Sequence, residues 1–237
     1  MDFRDYKNFK NLNKKEPTMA KNITTATDSA HTPVSRVSFP AVFEMDEDQG
    51  GNAAYRLTLL IPKVLSTPED KASMAALKKI YGEALAAGKK EFWKGKLPTG
   101  FIHPFKDGDE RDPEKYPGYA GHWYIKAKTT LRQPVIVDSK VQPIPPERQE
   151  EFYPGCWCIA VVSAFAYNYL SAGVGFYLMM AQKVREGEPL GFAADPMAEF
   201  QPIDTPLADA EDMGGDLEDV DDMFGDTADS DSSDLPF

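Results

Sequence analysis

The chain has 237 residues, with 26 Lys+Arg against 38 Asp+Glu, a formal charge of −12 at pH 7, and 11% aromatics. No stretch approaches the run of about 18 apolar residues that a membrane span needs, and the start lacks the apolar core of a secretory signal, so a cytosolic protein is expected. The charge is segregated: Arg185 is the last basic residue, residues 186–237 hold 17 acids and no base, and residues 1–185 hold 21 acids and all 26 bases, a net of +5.

Residues 1–18 are polar and mildly basic without a period, and Met19 offers a second plausible start, so residues 1–30 read as a flexible extension. Residues 32–43 alternate in part, with Ser35, Val37, Phe39, Ala41 and Phe43 on one face and Arg36 and Ser38 on the other, which predicts a strand. Pro40 suggests an edge or a bulge there. Residues 46–52 are acidic and glycine-rich, a hairpin loop. Residues 53–61 predict a second strand, with Tyr55, Leu57, Leu59 and Ile61 on one face and Arg56 and Thr58 on the other. Ser66-Thr67-Pro68-Glu69 is a helix start, and the stripe Met74, Leu77, Ile80, Tyr81, Leu85 carries the helix to about Ala87, where Gly88 is expected to stop it.

Residues 89–119 are the least regular part of the domain. Lys89, Lys90, Lys94 and Lys96 interleave with Phe92 and Trp93, and Tyr116 and Tyr119 follow among Pro and Gly. Cations track phosphates and aromatic faces stack on bases, so this composition suits a strand-binding loop; the competing reading is a loop pinned by its aromatics with its lysines in water. Residues 121–131 predict a strand in which Tyr124, Lys126 and Lys128 share a face, a candidate DNA platform. Residues 134–137 form a short strand, and 143–151 a proline-rich linker. Residues 157–169 are apolar on both faces, as in a central barrel strand, with Tyr167 at the exposed end able to stack on bases; a final strand covers 174–184. Cys156 and Cys158 lie one residue apart, a spacing that disfavours a bridge, and read as structural thiols in a reducing compartment.

Five or six strands with one helix after the second predict a mainly β, OB-fold-like barrel spanning residues 31–190. Residues 191–237 are too charged and too poor in large apolar side chains to bury a core and are expected to be disordered. Yet they end in Asp231-Ser232-Ser233-Asp234-Leu235-Pro236-Phe237, which delivers two apolar side chains and a carboxylate to a terminus, a form suited to capture by a partner pocket.

That ending resembles the tip of bacterial single-stranded DNA-binding proteins, an acidic cluster followed by an apolar residue, Pro and Phe. The strand arrangement, the tail and the run 34–43 together resemble the phage-encoded OB-fold members of that functional class. The resemblance implies sequence-independent binding and protection of single-stranded DNA during replication, recombination and repair. It implies that Asp231, Asp234, Leu235, Pro236 and Phe237 dock on replication and recombination proteins, and it places the chain in the host cytoplasm. A second copy of the chain, as a homodimer, is a further expected partner. The candidate DNA contacts are Arg36, Arg56, Lys89, Lys90, Phe92, Trp93, Lys94, Lys96, Tyr116, Tyr119, Tyr124, Lys126, Lys128 and Tyr167.

Catalytic signatures are missing from the sequence. It has no phosphate-cradling Gly-rich loop ending in Lys-Ser/Thr, and its three histidines and its Cys-x-Cys lack a second ligand pair for zinc. Asp107, Asp109, Asp112 and Glu114 form an acidic loop that a two-metal nuclease could use, but only on rigid elements beside a basic groove. The expectation is a binding protein with no cofactor and no metal; the rival is an acidic interaction or assembly protein whose tail mimics DNA.

Overall fold

Two long strands with inward residues at every second position can close on each other only if the sheet curls, and this one does. The computed structural model describes residues 22–47 and 51–190. In chain order the elements are β1 (Ser29–His31), β2 (Ser35–Glu47), β3 (Ala53–Pro62), α1 (Pro68–Glu91), β4 (Lys106–Asp107), β5 (His122–Thr129), β6 (Val135–Val137), a 3-10 turn (Pro146–Glu151), β7 (Trp157–Asn168) and β8 (Ala172–Arg185). Hydrogen bonding runs β7–β2–β3–β5–β8 and returns through β8–β7, so five strands close a circuit. Every pair in it is antiparallel except β5–β8, which is parallel. This is an OB-like barrel; β1 extends it along β7, β4 lies on β5, and β6 runs parallel to β8.

The interior is filled by Val37 and Val42 of β2, Leu57, Leu59 and Ile61 of β3, Ile125 and Ala127 of β5, and the small residues Cys158, Ala160, Val162 and Ala164 of β7. Small residues on β7 leave room for α1, which packs on β7, β1 and β8 and buries Leu77, Ile80 and Ala84. Both cysteines are free and buried. Burial raises the Cys156 thiol to about 11 and lifts Cys158 well above its ordinary value, so neither is a nucleophile in the folded chain. Among the described residues no helix is long and apolar enough to cross a membrane.

Four sequence expectations are corrected. The Thr67 hydroxyl caps α1, accepting from the Asp70 amide at 3.0 Å, but the helix runs to Glu91 and Gly88 does not stop it. Gly88 is there for contact: a Cβ would stand 2.5 Å from the Trp93 ring and 2.6 Å from the Ala166 Cβ. In β2 the alternation breaks at Phe39, where φ is 44° and the register shifts between Ser38 and Ala41. Phe39 therefore leaves the core face and Val42, not Ala41 or Phe43, becomes the fully buried residue. Third, the proline-rich linker contains a 3-10 turn. Fourth, β1 and β4 were not expected, and β1, which begins inside the segment read as a flexible extension, pairs with β7.

Candidate nucleic-acid interface

The outer face of β2, β3 and β5 can be built from register. One row across it is Arg36, Leu60, Tyr124 and Lys106; the next is Ser38, Thr58 and Lys126; a third is Ala41, Arg56 and Lys128. The first row is covered by the loop of residues 108–121, and the third stays open. The loop is clipped in place by Lys63, whose Nζ donates to Asp107 at 2.5 Å and Asp109 at 2.6 Å. Asp109 in turn accepts from the Gly121 amide at 2.6 Å. The turn is so tight that a Cβ on Gly108 would meet the Tyr119 carbonyl oxygen at 2.1 Å.

Clipping the loop lays its tyrosines on the sheet. Edge-to-face contacts run from Phe39 to Tyr116 (6.3 Å between ring centroids), Tyr116 to Tyr119 (5.3 Å) and Tyr119 to Tyr124 (5.2 Å). Arg111 closes the row: its guanidinium lies 4.8 Å from the Tyr116 ring centroid and 5.1 Å from that of Tyr124, and its Nε donates to the Tyr124 hydroxyl at 2.8 Å. That bond to the tyrosine oxygen raises the Arg111 pKa further. The Tyr119 hydroxyl meets Ser38 Oγ at 3.2 Å, and burial raises its pKa.

At the open end the field is cationic. Lys126 is pushed below the ordinary lysine value, first by loss of solvent and then by the charges of Lys106, Arg111 and Arg56. Lys126 and Lys128 are exposed, and neither has a carboxylate partner among the described residues. Exposed cations on a sheet face beside a partly exposed ring, here Tyr116 next to Lys126 and Lys128, are an arrangement suited to a single strand, since cations track phosphates and ring faces stack on bases.

The sequence-predicted residues divide. Lys126, Lys128 and Arg56 share the face as expected, but Arg56 is also held by the Asn52 carbonyl at 2.6 Å. Tyr124 and Tyr119 are 2% and 3% exposed, so they support the surface rather than form it, while Tyr116 is half-buried. Arg36 is a strut, donating from Nε to the Gly155 carbonyl at 3.2 Å and from its terminal nitrogen to the Glu188 carbonyl. Lys89, Lys90, Lys94 and Lys96 lie at and beyond the end of α1, away from the β2–β3–β5 rows. Beside them Phe92 packs on the core, and Trp93 is buried edge-on against Phe101 at 5.1 Å. The Trp93 indole N–H finds no acceptor among the described residues. Tyr167 is half-buried 6.2 Å from Phe165. Asp231, Asp234, Leu235, Pro236 and Phe237 lie outside the described residues.

Sequence reasoning passed over Phe39, Lys106, Arg111 and Lys115. Pro40 after Phe39 was the available signal, since it marked a break in β2; Arg111 and Lys115 were masked by the acids around them. It also placed Tyr169 in a strand, whereas Tyr169 and Leu170 form the β7–β8 hairpin tip, 76% and 92% exposed. In OB-folds generally the corresponding hairpin is one of the loops that contact oligonucleotides. The acidic loop is accounted for structurally. Asp107 and Asp109 are lowered chiefly by their bonds from Lys63, and Asp112 accepts from the Glu114 amide at 3.1 Å. Among the described residues no three His, Cys, Asp or Glu side chains converge on a metal position.

Residues 29–231 match the family described as the ssDNA-binding protein of Enterobacter phage Enc34. The chain belongs to this family. A relative called putative protein p50, from Acyrthosiphon pisum secondary endosymbiont phage 1, is 30% identical over 159 residues, covering 65% of this chain and 81% of the relative. The solved structure of the Enc34 protein in complex with ssDNA is similar at a TM-score of 0.54 and 27% identity, over 69% of this chain and 89% of that one. The T7 single-stranded DNA-binding protein gp2.5, at 19% identity and a TM-score of 0.50 over 78% of this chain and all of that one, shares the fold. In this member of the Enc34 family the clipped loop, the aromatic row and Lys126/Lys128 all lie on one sheet face.

Proposed function

We propose that the chain binds single-stranded DNA without reading its sequence, and protects it during phage replication, recombination and repair. The observation that carries this is the β3–β5 face, where exposed Lys126 and Lys128 lie beside half-buried Tyr116, whose ring is held in place by Arg111 and the buried Tyr119 and Tyr124. Family membership supports the choice of ligand. The binding is physical only: phosphates replace solvent counterions at the lysines, and unpaired bases stack. Duplex DNA keeps its bases inside and offers the rings nothing, which gives the preference for unpaired strands.

The acidic tail acts in the same system. Its acids compete with DNA for the cationic face as a tethered polyanion, and the tip Asp231–Phe237 recruits partner enzymes. Self-association into a homodimer completes the proposal and is read by sedimentation at two concentrations.

The test is a fluorescence titration of the full chain with an unstructured oligonucleotide and with its duplex at two salt concentrations. Tight, salt-sensitive binding of the single strand and weak binding of the duplex are expected. Partner capture with no oligonucleotide binding at low salt would instead identify the tail as a DNA mimic.

A further inference from the structure

Phe39 is a bulky residue held where bulky residues rarely go. Its φ of 44° lies in the left-handed region, at the register break of β2. The barrel gains no core contact from this, because the ring is 60% exposed and touches the aromatic row only by its edge to Tyr116. A strained backbone that presents an exposed ring is an observation from which function is sought. The ring borders a cleft of about 170 Å³ whose other walls include Pro117, Tyr119, Pro154 and Leu190, with exposed Lys115 also lining it. A larger hollow that Phe39 also lines includes Glu44 and Asp46, which repel phosphate.

We propose that Phe39 is a stacking platform for one nucleobase of the bound strand, which enters the Pro117–Pro154 cleft while its phosphate pairs with Lys115. This rests on the single-stranded DNA reading above and adds a site outside the β3–β5 face, continuous with it through Tyr116. The largely apolar cleft beside Lys115 matches a base joined to a phosphate, which would take over the lysine from Asp112, now 4.0 Å away, and the acidic hollow disfavours the strand there.

The test uses the full-length chain and oligothymidylate. Phe39→Gly removes the ring and frees the backbone, since glycine adopts positive φ without strain. It should unfold at the same or a higher temperature and bind roughly 5- to 150-fold more weakly, the loss of one stacked base. The salt dependence should be unchanged, because no phosphate contact is removed. Phe39→Trp should retain wild-type affinity, and Lys115→Ala should reduce the salt slope by about 0.7, one phosphate on a single strand. Wild-type affinity in Phe39→Gly, or a lower unfolding temperature with no recovery of binding in Phe39→Trp, overturns the platform and leaves single-stranded DNA binding standing. Failure of the unsubstituted chain to bind at low salt overturns the underlying reading instead.

Discussion

Replacing Lys126 and Lys128 together by Gln tests whether the open end of the face holds phosphates. Both are exposed strand residues without carboxylate partners among the described residues, so the substitution breaks no ion pair there. Substitutions of this kind change stability by no more than about 0.5 kcal/mol. The sign should be favourable. The Lys126 pKa is lowered, so its charged form opposes folding, an opposition that fades as pH rises through that lowered value and that Gln removes. Each phosphate neutralised on a single strand contributes about 0.7 to the slope of log affinity against log salt, so losing two contacts should flatten it by about 1.4. The affinity gap to wild type, near zero at about 1 M salt, then widens to about 60-fold at about 50 mM. Fluorescence titrations across that range read the slope directly. The matched control is Lys89→Gln/Lys90→Gln at the end of α1, which should leave the slope nearly as in wild type. An unaltered slope in the Lys126/Lys128 variant, or an equal fall in the control, would refute the placement of the strand on β3–β5.

Deleting residues 193–237 removes 15 acids and should tighten DNA binding most at low salt, while abolishing co-precipitation with replication enzymes; equal or weaker affinity sinks tail competition. Gly88→Ala gains about 1 kcal/mol of helix propensity but drives a methyl against Trp93 and Ala166, at an overpacking cost of about 1–3 kcal/mol. Its net effect in thermal unfolding should be destabilising, and a rise in melting temperature would show that Trp93 is free to move. The Lys63 clip sets a pH window for the loop of residues 108–121. Asp107 and Asp109 have lowered pKa values, so their contribution is present above the ordinary carboxylate value near 4 and disappears as pH falls through the lowered ones. Lys63 is raised, so its contribution is lost only as pH rises through that raised value. Hydrogen exchange at Gly108 and Gly121 should therefore accelerate in acid before the barrel amides do, and simultaneous loss would show that the loop is held by packing instead.

The barrel was readable because its strands are long enough to show their faces. Leu57, Leu59 and Ile61 alternate with Arg56, Thr58 and Leu60, and the pattern survives in the register with β5. The candidate face was half readable for the same reason: Lys126 and Lys128 share a face by spacing alone. For the Lys89–Lys96 cluster, local composition does not tell a loop that faces a ligand from a helix end that packs on a core. There Trp93 and Phe92 serve the interior, and their lysines trail into solvent.

By itself the sequence determined the segregation of charge, the succession of long strands with one helix after the second of them, and the acidic Leu-Pro-Phe ending, because each depends on residue type and short spacing. Only the tertiary structure decided which aromatics are surface and which are support. Tyr119 and Tyr124 are buried by a loop that Lys63 ties down from a residue more than forty positions away, and Phe39 is turned outward by a single backbone angle. Both are long-range or conformational facts, and no window of sequence contains them.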